Sequence, residues 1–357
     1  MTESLSDNEF DLRRVPIVMA GLALLAIPFA YAQANLEILH SNPLFVLVFA
    51  VLGLSAIGLI AYISIFRHLP ASVRHSPYLI FFAVFSFACV LDFLIAMTLM
   101  GYTNVMASYF ESGEPYLKSN YGMAVNLWDG TTHFALYLWM SFCLASSRDH
   151  SRAALFWAGS MIGSCIVYMS GNLIGEYAEQ IEPSYLLNLP FMIVPIFYAW
   201  KVALDSDNDA PVIKIGKTTG DYLLIICLLG LAGFSAFRML VVLNPEISLT
   251  YVWATEVEPF LLSPTRYSEI QMLVFGLYLM PFSILAAIAF WRPSSQNLRV
   301  WAWIFAGVTA QGQFAHIVAS ISAADVVPQS SVFWLSNLLV MFVPLWFAWC
   351  YQQKVGA

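Results

Sequence analysis

Residues 126–138, NLWDGTTHFALYL, place an acid and a histidine one helical turn apart inside an apolar segment. On a helical wheel, four side chains fall within about 80° of one another and form a polar stripe: Asn126, Asp129, His133 and Tyr137. An acid and an imidazole one turn apart could act as a proton donor and a proton acceptor. The stripe could equally bind a ligand or join neighbouring helices through hydrogen bonds.

Further polar side chains interrupt other apolar segments: Asp92, Asn172, Arg238, Gln271, Tyr278, Gln313 and His316. Polar and ionisable groups inside a bilayer usually face a protein interior or a cavity, so these residues are candidate ligand contacts. Arg238 is the only basic residue within such a segment, and a buried cation needs a carboxylate. We expect Asp92 as its first-choice partner and Glu258 as the second. Glu114 and Glu258 each precede a proline, a pattern that more often shapes a loop than binds a ligand.

The composition indicates a membrane protein that crosses the bilayer many times. The 357 residues are 60% hydrophobic and 10% charged, whereas globular domains are about 45–50% apolar and about 25% charged. The net charge of −7, without a dense cluster of lysine and arginine, excludes a nucleic-acid partner. The five cysteines fall in five different apolar segments without metal-ligand spacing, so we expect buried thiols, no metal and no other cofactor.

A membrane span needs roughly 20 mostly apolar residues. We predict ten, at residues 15–34, 43–66, 77–101, 124–147, 153–175, 185–204, 219–243, 268–291, 299–321 and 331–352. Of the 15 basic residues, 12 flank these spans on one side, which predicts that both termini are cytosolic. The sequence Ala30-Tyr31-Ala32 resembles a signal-peptidase site, but acids precede the first apolar run and favour an uncleaved helix.

Spans 3–6 and spans 7–10 look like two copies of one four-helix unit that begin on the same side, which makes the repeat parallel. The strongest matches are Glu114-Pro115 with Glu258-Pro259 (offset 144), residues 136–138 with 277–279 (offset 141) and Asn188-Leu189 with Asn337-Leu338 (offset 149). The predicted organisation is a cytosolic tail (1–14), two N-terminal helices (15–68), a first unit (75–204), a cytosolic linker (205–218), a second unit (219–352) and a cytosolic tail (353–357).

The two copies differ in their polar residues. At the offset of 141, Ile270 and Val274 stand where the first copy has Asp129 and His133. A purely architectural stripe would not require this divergence, so we expect the first unit to hold the ligand.

Several ordered stretches resemble the transmembrane 6 superfamily, whose members have two EXPERA domains after two N-terminal helices. They are GEPYL (113–117), WDGTTHFALYL (128–138), GNLIGEY (171–177), FRMLVVL (237–243), EPFLLSPTRY (258–267), QMLVFGLYLMPF (271–282) and QGQFAHIVAS (311–320). The resemblance covers nearly the whole chain from the second span onward. It implies an all-α membrane protein of about ten spans in the endoplasmic reticulum, with an endolysosomal or Golgi membrane as the alternative. It also implies a role in triglyceride content, lipid droplets and lipoprotein lipidation.

EXPERA domains also occur in the emopamil-binding-protein sterol isomerase and in the sigma-two receptor, where membrane-embedded acids bind cationic amines or stabilise a sterol carbocation. Asp92 looks placed like the acid on the first helix of that domain. The later pocket glutamate of those relatives has no match here, because His133-Phe134 stands near its position. This departure weakens an enzymatic interpretation.

Three hypotheses follow. The first is a non-enzymatic protein that binds or transports a sterol or neutral lipid with one polar head, using both copies. The second is a sterol Δ8–Δ7 isomerase with Asp129, His133 and Asp92 as catalytic residues. The third is a scaffold that recruits lipid-synthesis or lipoprotein-assembly proteins.

Overall fold

Long helices make up the structure, a computed structural model that describes residues 12–206, 218–291, 298–323 and 330–355. Within those ranges the chain contains helices and connecting turns but no β-strand, which confirms the predicted all-α class. Most of the predicted N-terminal tail (1–14) and linker (205–218), and the end of the C-terminal tail (353–357), lie outside the described residues.

The ten principal helices are numbered in chain order. They are α1 (Arg14–Ala23 continued by Ala26–Asn35), α2 (Pro43–Ser64), α3 (Pro77–Leu99), α4 (Asn120–Trp128, Asp129–His133 and Phe134–Ala145), α5 (Ser151–Ile174), α6 (Leu189–Ser206), α7 (Thr219–Leu243), α8 (Tyr267–Val274, Phe275–Leu279 and Met280–Trp291), α9 (Leu298–Ala323) and α10 (Ser331–Val355). In the described part of the chain, nine helices are long and apolar enough to cross a membrane. The fourth predicted span, α4, is not among them, although it is helical from Asn120 to Ala145.

Proline and polar caps explain where several helices begin or break. Pro43 and Pro77 occupy the first turns of α2 and α3, where a missing N–H costs nothing. Thr218 and Asp221 form a reciprocal capping box at the start of α7. The interruption of α1 at Leu24–Leu25 lies one turn before Pro28, which cannot donate to the carbonyl four residues earlier.

Two of the ten principal helices, α4 and α8, contain a π-turn. In α4 it covers Asp129–His133, and in α8 it covers Phe275–Leu279. A π-turn holds more residues than an α-turn, so it rotates the faces before and after it relative to each other. The predicted stripe on α4, drawn on an α-helical wheel, therefore does not stay on one face.

The helices form two bundles with separate apolar cores, one around α3–α6 and one around α7–α10, while α1 and α2 pack against α3. The two bundles meet mainly through α5 and α9. A Cβ atom on Gly159 would lie 2.1 Å from the carbonyl oxygen of Ile304, and one on Gly307 would lie 2.0 Å from that of Phe156. Only glycine at these two positions allows the backbones to come this close.

The bounds of the two bundles match along the chain and support the predicted duplication. The C-terminal ends of α3 and α7 are 144 residues apart, and those of α4 and α8, like their two π-turns, are 146 apart. Gly159 and Gly307 are 148 apart and make mirrored contacts. The structure therefore favours an offset of 146 in α4, rather than 141, so Tyr137 is matched by Ser283 and not by Tyr278.

Candidate functional site

The first bundle encloses a cavity with a polar end and an apolar body. The cavity volume is about 130 Å³. Its walls come from α1 to α5, from the loop between α3 and α4, and from the start of α6. The polar lining side chains are Gln33, Asp92, Tyr109, Glu114, Asn126, Asp129, Ser164, Tyr168 and Asn188. Phenylalanine, leucine, valine, isoleucine and methionine form most of the remaining surface, including Phe49, Phe87 and Phe191.

Three carboxyl groups, those of Asp92, Glu114 and Asp129, line this cavity. Within the described ranges, no lysine or arginine lines it with them. Glu114 is buried, and its Oε1 accepts a hydrogen bond from Nδ2 of Asn188 (3.1 Å). Burial raises the pKa of Glu114 to about 7, although hydrogen bonds from Tyr116, Asn188 and Tyr109 act in the opposite direction. In the part of the chain that the structure describes, these acidic groups thus face the cavity without a lysine or arginine beside them.

The predicted stripe on α4 divides between the cavity and the helix interface. Asn126 and Asp129 line the cavity. His133 is fully buried, with its Nδ1 2.6 Å from Oδ1 of Asp129 and its Nε2 2.7 Å from Oγ of Ser160 on α5. Tyr137 is also buried, and its hydroxyl accepts a hydrogen bond from Nε1 of Trp157 (2.8 Å). The last two residues therefore join α4 to α5 and do not line the cavity.

A closed polar network occupies the second bundle. Nε of Arg238 donates to Oε2 of Glu258 (2.9 Å), and Nη2 donates to Oε1 of the same carboxylate. Nη1 donates to Oε1 of Gln313 (3.1 Å), and Nη2 also donates to Oδ1 of Asn337 (2.6 Å). The guanidinium carbon lies 4.6 Å from the ring centre of Phe234. Arg238 is thus held on every side by groups of its own bundle.

The carboxylate of Glu258 is the centre of this network. Besides Arg238, it accepts hydrogen bonds from Asn337 Nδ2 (2.9 Å) and Trp253 Nε1 (2.7 Å), and His316 Nε2 lies 3.5 Å away. Burial alone would raise the pKa of Glu258, but the charge of Arg238 and the contacts with His316 hold the pKa well below its ordinary value. Asp92 as the first-choice partner of Arg238 was a wrong prediction, because Asp92 lies in the other bundle's cavity.

The two bundles hold matched side chains around their two glutamates. Glu114 and Asn188 form one hydrogen-bonded pair, and Glu258 and Asn337 form the other. In the register of 144 residues, Tyr109 corresponds to Trp253, and each contacts its glutamate. In the same register, Leu94 of the first bundle corresponds to Arg238 of the second. The second bundle fills its polar centre with its own guanidinium group, whereas the first bundle has a cavity there.

The remaining predicted residues lie elsewhere. Asn172 on α5 accepts a hydrogen bond from the Tyr267 hydroxyl of α8, so it joins the two bundles. Gln271 donates from Nε2 to the carbonyl of Gly312 (2.7 Å) and joins α8 to α9. Tyr278 lines a second, lipid-facing groove between the bundles. None of these three lines the cavity of the first bundle.

Sequence reasoning missed five polar residues of the cavity: Gln33, Tyr109, Ser164, Tyr168 and Asn188. A signal for Asn188 was present, because it is matched by Asn337 in the same repeat that pairs the two glutamates. Tyr109 and Trp253 share an offset of 144 with those glutamates but differ in residue type. Gln33 gave no such signal, because the N-terminal helices have no copy in the chain.

The fold and the cavity define a polytopic α-helical membrane protein with an acid-lined internal cavity. The family model described as "Transmembrane 6 superfamily member 2-like, transmembrane domain" matches residues 25–212. The chain is 33% identical over 314 residues to Transmembrane 6 superfamily member 2 of Homo sapiens, covering 85% of this chain and 82% of the human one. It is 31% identical over 343 residues to the Mus musculus protein of that name, covering 91% and 89%. The chain therefore belongs to the transmembrane 6 superfamily. No solved structure matches it.

Proposed function

We propose that this protein binds a sterol or other neutral lipid with one polar head in the cavity of the first bundle. The observation that carries the proposal is a contrast between the bundles. Glu258 of the second bundle is bound by Arg238, whereas its counterpart Glu114 in the first bundle lines a cavity. An apolar body with a few convergent polar groups is the usual form of a ligand pocket. Asp92, Asn126, Asp129 and Glu114 would contact the polar head.

The proposed cellular role is non-enzymatic regulation of lipid metabolism from the endoplasmic reticulum membrane, with both termini cytosolic. Binding or transport of the lipid would serve lipid droplets and lipoprotein lipidation. Lipid-synthesis or lipoprotein-assembly proteins are the partners that fit this role. The family membership and the asymmetric distribution of basic residues support the assignment.

The geometry favours binding over sterol isomerisation. An isomerase needs a proton donor and a proton acceptor that both reach the substrate. Asp129 lines the cavity, but His133 is fully buried with its Nε2 against Ser160, so the acceptor would not reach a ligand in the cavity.

The test is lipid analysis by mass spectrometry of purified protein, comparing wild type with Asp92→Asn/Asp129→Asn. Both substitutions keep side-chain shape and remove charge at the cavity wall. We expect the co-purifying sterol or neutral lipid to fall at least about tenfold, the effect of roughly 1.4 kcal/mol. Glu111→Gln, an exposed acid in the same loop as Glu114, serves as the control and should retain the lipid.

Unchanged lipid in the double variant would contradict the proposed site and favour a scaffold. Incubation of the wild-type protein with a Δ8-sterol distinguishes the remaining alternative. Appearance of the Δ7 product would show that the protein is an isomerase and would contradict the proposal of a non-enzymatic binding protein.

A further inference from the structure

Asp92 on α3 and Asp129 on α4 form a carboxyl pair at the wall of the first cavity. Gly130 packs directly on α3, where a Cβ atom would lie 2.6 Å from Cβ of Phe93 and 2.9 Å from its backbone nitrogen. Asp129 precedes that glycine, Asp92 precedes that phenylalanine, and both acids line the cavity. The close approach of the two helices therefore brings the two carboxyl groups to the same part of the cavity.

The protein fixes the position of the proton on the imidazole behind Asp129. Nε1 of Trp128 can only donate, and it lies 3.2 Å from Nε2 of His133 and 3.0 Å from Oγ of Ser160. The Ser160 hydroxyl lies 2.7 Å from the same Nε2. Since donors surround Nε2, the proton of the neutral ring is on Nδ1, 2.6 Å from Oδ1 of Asp129. This N–H group stabilises the charged form of the carboxylate.

The unpaired polar atoms on this wall are hydrogen-bond acceptors. Oδ1 of Asp129 is inaccessible beside His133, but the side chain is 19% exposed, and Oδ2 has no partner among the described residues. Asp92 is partly exposed, and within the described ranges neither of its oxygens is hydrogen-bonded. Asn126 is 5% exposed, and its Nδ2 donates to the carbonyl of Gly122 (2.7 Å). Its Oδ1 is left without a partner in the described part of the chain.

Gln33 of α1 adds a donor to this set. It is 5% exposed, lines the same cavity and makes no hydrogen bond with the described residues, so its amide N–H₂ is unpaired. Buried polar groups cost free energy until they are paired. The head group that pairs them must donate to the carboxyl groups and accept from the amide. A hydroxyl does both, whereas an ester, ether or ketone oxygen only accepts and an ammonium only donates.

We propose that Asp129, oriented by His133, makes the cavity selective for a lipid alcohol over the ester or ether of the same lipid. The hydroxyl group donates to the carboxyl pair and accepts from Gln33. His133 is a positioning residue, because it acts through Asp129 and does not line the cavity. The inference rests on the proposed function and narrows its ligand to lipids with a free hydroxyl group, such as a sterol or a diacylglycerol.

The experiment measures binding of tritiated lipids to the purified full chain in detergent. Cholesterol is compared with its 3-O-methyl ether, and 1,2-dioleoylglycerol with its 3-O-methyl ether. Each ether keeps the oxygen and the body of its alcohol but lacks the O–H group. We expect at least one alcohol to bind about tenfold or more tightly than its ether, the effect of a hydrogen bond to a charged group.

Asp129→Asn should abolish this preference. The amide oxygen remains beside Nδ1 of His133, so the amide N–H₂ replaces Oδ2 at the cavity and donates where the carboxylate accepted. We expect the ether to bind at least as tightly as the alcohol. His133→Phe should lower the ratio of alcohol to ether binding while binding of the ether is retained, a result that misfolding would not produce. Thr131→Val, an exposed position of the same π-turn outside the cavity, should keep the full preference.

Equal binding of alcohol and ether to the wild type, in both pairs, would overturn this inference and leave the proposed function standing. Binding of none of the four lipids would contradict the proposed function and this inference with it. A preference that persists in Asp129→Asn would assign the selectivity to another group and overturn the inference. Tighter binding of 3β-aminocholest-5-ene than of cholesterol would show that the carboxyl pair takes a cation and would also overturn it.

Discussion

At the scale of single residues, the two bundles differ in how their buried glutamates are stabilised. Glu258 is ionised because Arg238 neutralises it, and amide and indole donors complete its hydrogen bonds. Glu114 has only neutral partners, so burial favours its protonated form. One glutamate therefore belongs to a permanent internal ion pair, and the other is a group whose charge can respond to pH or to a ligand.

Removal of the guanidinium group in Arg238→Leu should destabilise the protein strongly. The substitution leaves a buried carboxylate without its counter-ion, which typically costs about 3–5 kcal/mol. Thermal unfolding in detergent, followed by tryptophan fluorescence, measures the loss. Arg266→Leu is the control, because the Arg266–Glu269 ion pair is exposed and worth little. A melting temperature for Arg238→Leu equal to that of wild type would mean that the network does not hold the bundle together.

Glu114 should make stability depend on pH near neutrality. Its folded-state pKa of about 7 lies above the ordinary 4.5, so the folded protein binds more protons than the unfolded chain between these values. Stability from this group should therefore fall as the pH rises from about 4.5 to about 7, by up to about 3 kcal/mol. Melting temperatures measured across this range should flatten in Glu114→Gln and not in Glu111→Gln. An identical slope in Glu114→Gln and wild type would assign the pH dependence to another group.

Residue chemistry was partly predictable from the sequence. A single arginine in an apolar segment requires a carboxylate, and that requirement is met. The ranking of Asp92 above Glu258 is wrong, because Asp92 and Arg238 lie in the corresponding helices α3 and α7 and correspondence in a repeat does not imply proximity. Those helices instead occupy corresponding places in two separate bundles, and Glu258 reaches Arg238 from the loop of its own bundle.

At the scale of elements, hydropathy predicted the helices well and their faces poorly. The bounds of α5, Ser151–Ile174, lie within two residues of the predicted span 153–175. The π-turn in α4 was not predictable from a wheel, because a wheel assumes a constant rotation per residue. The first two helices are hydrophobic on all sides, so nothing in their periodicity indicated that Gln33 faces the cavity.

The contact between α5 and α9 gives a sharp test at this scale. Gly159→Ala would place a methyl group about 2.1 Å from the carbonyl oxygen of Ile304, so the helices must separate. We expect a loss of about 1–3 kcal/mol, as for other overpacked sites, measured by thermal unfolding in detergent. Gly233→Ala on α7 meets nothing within 4 Å and should be neutral or stabilising by about 0.5–1 kcal/mol. Equal behaviour of the two variants would contradict the close approach of the backbones.

At the scale of the whole molecule, matched bounds, mirrored glycines and paired glutamates agree with the predicted duplication of one four-helix unit. The sequence predicted the parallel copies and the loss of the α4 acid and histidine from the second. It did not predict that Arg238 would fill the polar centre of the second bundle. That arrangement requires residues of α7, α9, α10 and the loop that carries Glu258 to meet at one point. This contrast is the basis for proposing the ligand site in the first bundle.

The most direct test is a density map of the full chain in lipid nanodiscs. We expect elongated lipid density in the cavity of the first bundle, with its polar end beside Asp92, Glu114 and Asp129. We also expect the centre of the second bundle to be occupied only by Arg238 and its protein partners. A first cavity without ligand density, or lipid density in place of the Arg238–Glu258 pair, would contradict these expectations.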